Sequence, residues 1–264
     1  MSAATDARLS SLDRMLNESD VGDDFAAGMF AVVDALESSP TLRRAVTDPG
    51  TPEGARRALV HGLLDGKVDK AVVDLVAEAA TLRWAGGRTF AAALERQAVR
   101  GQLIVADRNG DLENSEDELF RFARLVESSP ELRNTLADRS IDLKRRQELI
   151  GDLLRGRATS ATSLLAQRAV AARERTFGHT IEGYVTLAAA QKNRVVATVR
   201  VATPLSVDQR SRLQTSLSRQ IGREVIIQEV IDPGVLGGVR IELGGEVFEG
   251  TVAGRLEEAR RLFE

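Results

Sequence analysis

The sequence predicts a mostly α protein: a duplicated helical bundle followed by a small C-terminal α+β domain. Three observations carry this prediction. Apolar residues recur at helical spacing through roughly the first 190 of the 264 residues. Much of that stretch superposes on itself at an offset of 90 residues. From Arg194 onward the pattern changes to alternating, Val-rich runs separated by turns containing Pro and Gly.

The internal repeat is anchored by Glu37-Ser38-Ser39-Pro40-x-Leu42-Arg43, which aligns with Glu127-Ser128-Ser129-Pro130-x-Leu132-Arg133. Without a gap the register continues through Asp48/Asp138, Arg56/Arg146 and Leu59/Leu149. It runs on through Leu63-Leu64/Leu153-Leu154, Gly66/Gly156, Leu75/Leu165 and Arg83/Arg173. Chance does not produce so many matches in one register. Two copies are too few for a solenoid, so duplication of one helical bundle is the better description.

Each copy parses alike. A long helix ends near Leu36 or Val126. Ser39-Pro40 and Ser129-Pro130 then start a short helix, with Ser as N-cap and Pro in the first turn. The short helix stops at Asp48 or Asp138. In the first copy Thr51-Pro52-Glu53 opens another helix, with Ala55, Leu59, Leu63 and Leu64 as its expected buried stripe, and Gly66 and Gly156 stop the two equivalents. Further helices are expected around 68–85 and 88–106, and around 158–175 and 177–192. The 88–106 helix is expected to serve both copies, as exit from one and entry to the other. The expected domains are 1–94, an extra helical copy; 95–192, a helical bundle; and 193–264, the α+β module.

In that module Val195, Ala197, Val199 and Val201 alternate with Val196, Thr198 and Arg200, a strand with one buried face. Thr203-Pro204 ends it, because proline has no N–H for the ladder. Ser206 and Gln209 form a capping box, Leu213, Leu217 and Ile221 one apolar helical stripe, and Gly222 a left-handed stop. Val225 to Ile231 is a second strand. Asp232-Pro233-Gly234 is a turn in which Asp bonds the backbone ahead, Pro pre-sets φ and Gly accepts a positive φ. Gly237-Gly238 reads as a bulge or close backbone approach. Val239, Ile241 and Leu243 then alternate with Arg240 and Glu242, Gly244-Gly245 signals a hairpin, and Thr251 caps a last helix.

The order of strand, Pro-Leu-Ser-x-x-Gln helix, strand, Asp-Pro-Gly-x-Leu-Gly-Gly-Val turn, hairpin and Arg255-Leu256 helix resembles one family. It is similar to the C-terminal part of the delta subunit of F-type ATP synthases, known in mitochondria as the oligomycin-sensitivity-conferring protein. Its signature positions here are Pro204, Ser206, Asp232, Pro233, Gly237, Gly238, Arg255 and Leu256. One departure is Glu249-Gly250-Thr251, where the family commonly has a Ser preceded by an acid; Thr keeps the capping hydroxyl. The second helical copy also resembles the family's N-terminal domain, so the resemblance covers about residues 95–264. Removing one repeat leaves 174 residues, about one ordinary family member, and the first copy is additional.

Composition narrows the chemistry. The chain is 43% hydrophobic and 28% charged, an ordinary soluble balance. It has no Cys, which removes disulfides, thiolate chemistry and Cys-ligated zinc, and fits a reducing compartment. The net charge of −3 and 4% aromatic content argue against a nucleic-acid footprint. No segment is long enough to span a bilayer, and the acids at Asp6, Asp13 and Glu18 argue against a signal or transit peptide. His61 and His179 are the only histidines and lack metal-ligand spacing. The run Gly234 to Gly245 matches neither phosphate-binding Gly motif, so no cofactor is expected. The basic stretch Arg139 to Arg157 carries Asp142, Glu148 and Asp152 at helical neighbour spacing and reads as a self-paired, solvated face, with docking of an acidic partner the alternative.

The resemblance implies a non-catalytic stator subunit of a rotary ATP synthase. It implies that the helical domain takes N-terminal helices of the alpha subunits, and that the C-terminal module holds the b subunit of the peripheral stalk. It places the chain at the cytoplasmic face of the cell membrane as a peripheral component. The head-side groove is expected between the helices around 95–107 and 158–175, lined by Leu103, Val105, Leu164 and Leu165. The alternative is a free-standing helical adaptor that binds partner helices, which residues 1–190 alone would also suit. A small α/β enzyme built on the tail is the remoter third reading.

Overall fold

A computed structural model describes residues 3–172, 176–191, 194–222, 224–235, 238–243 and 246–251. The chain divides into two compact units, Met1–Tyr184 and Val185–Glu264. In the first unit run α1 (Ala3–Glu18), α2 (Phe25–Ser38), α3 (Pro40–Thr47), α4 (Glu53–Leu64), α5 (Lys70–Thr81) and α6 (Gly87–Arg108). These are followed by α7 (Leu112–Ser128), α8 (Pro130–Ala137), α9 (Leu143–Leu154) and α10 (Ser160–Ala169), and the division between units falls inside α11 (Phe177–Gln191). The 90-residue offset maps α2 to α5 onto α7 to α10 in order.

Many residues shared by the copies turn the chain. Ser39 Oγ accepts the Leu42 N–H at 3.3 Å, and Ser129 Oγ accepts the Leu132 N–H at 3.4 Å. Arg43 and Arg133 each donate back to the end of the preceding helix, to the Leu36 and Glu127 carbonyls. Asp48 and Asp138 accept N–H groups two residues on, from Gly50 and Ser140. Gly66 and Gly156 take φ of 72° and 69°, the left-handed turn that stops α4 and α9. Repetition has therefore preserved where the chain reverses.

The stripe expected on α4 is rotated. Ala55 is exposed and Leu59, Leu63 and Leu64 are half-buried, while Arg56 and Val60 face inward. The reason lies in the C-terminal end of α5, whose carbonyls have no intrahelical donor. Arg56 reaches across to the Thr81 and Leu82 carbonyls at 3.2 and 3.4 Å. Its counterpart Arg146 is also buried but bonds the Leu136 carbonyl at the end of α8 and the Ile141 carbonyl in the loop before α9. α5 itself stops at Thr81, short of the expected 85. Leu82 turns extended and the Trp84 indole donates to the Ala79 carbonyl at 2.8 Å. α10 ends at Ala169 rather than 175, with Arg173 outside the described residues.

α6 is the helix both copies share. Its first part aligns with α11 and its last part with α1, the N-terminal helix that periodicity had not singled out. It buries Phe90, Leu94, Ala98, Val99, Leu103 and Val105, nearly all of its circumference, and touches α1, α2, α3, α5, α7 and α10. Its closest approach is to α2. A Cβ on Gly101 would lie 2.5 Å from Cε1 of Phe25, a ring with no solvent exposure. On its other side Asp13 of α1 accepts from Arg96 Nη2 at 2.9 Å and Gln97 Nε2 at 2.7 Å, and pairs with Arg100 at 2.9 Å. Burial pushes the Asp13 carboxyl up, but the Arg96 and Gln97 hydrogen bonds and the Arg96 and Arg100 charges outweigh it and hold it below the ordinary aspartate value.

The second unit holds β1 (Arg194–Val201), α12 (Val207–Ile221), β2 (Glu224–Ile231), β3 (Gly238–Leu243) and β4 (Glu246–Thr251). The sheet order is β2-β1-β3-β4, with β1 and β2 parallel across the α12 crossover and the remaining pairs antiparallel. Ala197, Val199 and Val201 of β1, Val225 and Ile227 of β2 and Ile241 of β3 bury one face against Leu217 of α12. Leu213 and Ile221 flank that contact, as their spacing predicts. On the opposite face Arg200 Nε donates to Glu242 at 3.1 Å.

Two measurements test this packing. Gly101→Ala should lower the urea unfolding free energy by about 1–3 kcal/mol, because overlap with Phe25 outweighs the gain in helix propensity of about 1 kcal/mol. A stabilised variant would show that the ring yields freely. A depressed aspartate stabilises above its unfolded pKa, and that stabilisation is lost as pH falls through the folded value. Asp13→Asn should therefore flatten the acid limb of the urea midpoint below about pH 4, while above it the midpoint is lower but parallel. Superimposable acid limbs would contradict the Asp13 assignment.

Candidate partner-docking surfaces

The side chains available for chemistry are dispersed. His61 Nδ1 lies 3.1 Å from Asp65, just past the end of α4, and His179 Nδ1 3.2 Å from Glu182 on α11, each a solvent-facing pair one turn apart. Among the described residues no group of three or more His, Cys, Asp or Glu is placed to hold a metal ion, and no helix is long and apolar enough to cross a membrane. A shallow polar concavity lies between the loop Pro49–Glu53, Arg56 and Arg83, without a nucleophile and base in contact.

The basic stretch of α9 and its flanks is less self-paired than its spacing predicts. Arg155 pairs with Asp152 at 2.5 Å, but Asp142 is engaged in capping the Lys144 N–H at 2.8 Å. Lys144, Arg145 and Arg157 are exposed.

The four groove candidates divide. Leu103, Val105 and Leu165 are buried within the chain, Leu103 and Leu165 completely, while Leu164 is half-buried. The first three are therefore covered by the chain's own packing and do not line an open channel. Leu164 alone among them offers apolar surface.

The signature residues of the second unit shape its connections. Pro204 is exposed just past β1. Ser206 Oγ accepts the Gln209 N–H at 3.2 Å while Gln209 Oε1 accepts the Ser206 N–H at 2.8 Å, the reciprocal capping box the sequence predicts. Gly222 ends α12 at φ 71°. Asp232 Oδ1 accepts the Gly234 N–H at 2.9 Å, and the Asp232 carbonyl accepts the Val235 N–H at 3.0 Å, closing the turn over Pro233. The expectation of a positive φ at Gly234 is not met; the left-handed residue is Gly238, at φ 79°. With the Asp232 carboxylate gripping the next turn amide, the reversal closes without a left-handed third residue. Leu243 stands opposite Glu246, the register of a two-residue hairpin, although Gly244 and Gly245 lie outside the described residues. Gly237, Arg255 and Leu256 also lie outside them, as does the helix expected after Thr251, which is itself the last residue of β4.

Sequence reasoning missed Arg168, Glu95, Asp34 and Tyr184, which converge where the two copies meet. A signal was present. Arg168 follows Leu165 by three and Ala161 by seven, a charged residue on the apolar stripe of its helix.

The model of the family described as ATP synthase delta (OSCP) subunit matches residues 102–263, which takes in the second helical copy and the α+β module. A protein of Beutenbergia cavernae named ATP synthase subunit delta is 45% identical over 239 residues, 90% of this chain and 88% of its own. One of the same name from Nocardioides sp. is 45% identical over 244 residues, again 90% and 88%. A third, from Streptomyces avermitilis, is 39% identical over 260 residues, 98% of this chain and 95% of that protein, so the first helical copy also has a counterpart there. The chain belongs to the ATP synthase delta (OSCP) subunit family.

Proposed function

We propose that this chain is a non-catalytic stator subunit of a rotary F-type ATP synthase, joining the catalytic head to the peripheral stalk and resisting rotor torque during proton-driven ATP synthesis. The family match over residues 102–263 carries this reading, because one match runs through both compact units. The helical unit takes N-terminal helices of the alpha subunits, and the α+β unit holds the b subunit. The chain then works at the cytoplasmic face of the membrane as a peripheral component. Docking amphipathic helices needs apolar surface in place of reactive groups, which suits the side chains this chain presents. Two modest grips on one polypeptide raise effective concentration, so release is slowed by roughly 10²–10⁴-fold over either grip alone. Because Leu103, Val105 and Leu165 are buried, the head-side helix bears on Leu164 and the exposed rims of the α6–α10 seam.

Add-back tests the function directly. Membranes stripped of this subunit should lose proton-driven ATP synthesis and regain it when the full chain is restored. Coupled synthesis that survives stripping would refute the stator reading. The site is tested separately by titrating the full chain with a peptide of the alpha subunit's N-terminal helix. Leu164→Asp should weaken that binding by roughly tenfold or more, with the circular dichroism unchanged. Unaltered affinity would move the head-side grip away from this seam.

A further inference from the structure

Arg168 sits where the two helical copies meet, with its side chain 10% exposed. Nε and Nη2 donate to the Glu95 carboxylate at 2.8 and 2.6 Å, and Nη1 donates to Asp34 Oδ1 at 2.7 Å. The guanidinium carbon lies 4.7 Å from the centroid of the Phe30 ring. The Tyr184 hydroxyl donates to Glu95 Oε1 at 3.4 Å. One cation therefore gathers α2 of the first copy, the shared α6, and α10 and α11 of the second. Burial works against that charge, but the Glu95 and Asp34 hydrogen bonds and charges outweigh it and keep the guanidinium protonated.

This arrangement is absent from the repeat pattern. The 90-residue offset places Glu78 opposite Arg168 and Arg124 opposite Asp34. Glu78 pairs with Arg57 at 2.7 Å inside the first copy, and Arg124 pairs with Glu127 at 2.6 Å inside the second. At these two positions the first copy carries two acids and the second carries two arginines. Contact between unlike copies brings opposite charges together, while the same contact between like copies would bring like charges together. The charge pattern therefore selects this junction.

We propose that Arg168 is a latch that fixes the first helical copy onto the second, so that both move as one body. It acts on the joint between copies and not on the folding of either. This goes beyond the stator reading, because it concerns how the chain holds its own additional copy whatever partners it binds.

The absence of Cys makes the test direct, since labels can be placed at will on the full chain. Spin labels at Ala58→Cys and Glu148→Cys sit on exposed positions of α4 and α9, one in each copy. The unaltered junction should give one narrow distance distribution. Arg168→Gln should add a second, longer component at roughly 10% or more of molecules. Asp34→Asn, whose carboxylate is 63% exposed and belongs wholly to the first copy, should do the same more weakly without disturbing α10. A second label pair inside the second copy, at Arg121→Cys and Glu148→Cys, should be unchanged by either substitution. The latch is refuted if the between-copy distribution stays single and narrow in both variants. It is equally refuted if broadening appears in the pair within the second copy, which would make Arg168 a stabiliser of that copy's own packing.

Discussion

Helix α6 has to satisfy two bundles at once, and the helical unit depends on that constraint. A helix that packs against one neighbour needs a single apolar stripe, but one enclosed on most sides must bury almost everything it carries. α6 does so with small and apolar residues where neighbours come close, and with Gly101 where the Phe25 ring leaves no room for a Cβ. Charged side chains on its enclosed faces are then obliged to find partners, because burying an unpaired charge away from water is costly. Asp13 supplies one set from α1 and Arg168 another from α10. The ionic contacts at this centre follow from sharing one helix between two copies.

The repeat itself is conservative about turns and permissive about faces. Ser39 and Ser129 cap, Arg43 and Arg133 close the preceding helix, and Gly66 and Gly156 reverse the chain in the same way in both copies. Arg56 and Arg146 show the limit of that equivalence. Both are buried to satisfy the carbonyls at a helix end, but they serve different helices. The rule preserved is that a helix C-terminus needs a donor, not which helix receives it.

Much of the architecture was legible because it rests on local chemistry. Ser206 with Gln209, Gly222, the alternation around Val199 and Ile241, and the stops at Gly66 and Gly156 all act within a few residues of themselves. What escaped depends on contacts distant in sequence. Leu59 and Leu63 satisfied helical periodicity, yet Arg56 took the inward position because of carbonyls some 25 residues away. Leu103 and Leu165 looked like groove lining because periodicity reports an apolar face without saying whether the chain already covers it. Gly234 carried the composition of a positive-φ turn, but the Asp232 carboxylate closes it differently. The Arg168 cluster draws on residues up to 134 positions apart, beyond the reach of any local pattern.

The central claim is that both helical copies form one body around α6. Native-state hydrogen exchange of the full chain against denaturant tests it most directly, because it ranks the opening free energy of each helix separately. The account predicts that α6 is the most protected element and that α2, α5, α7 and α10 merge with it into a single opening isotherm. Independent opening of α1 to α5, at distinctly lower free energy than α7 to α10, would contradict it.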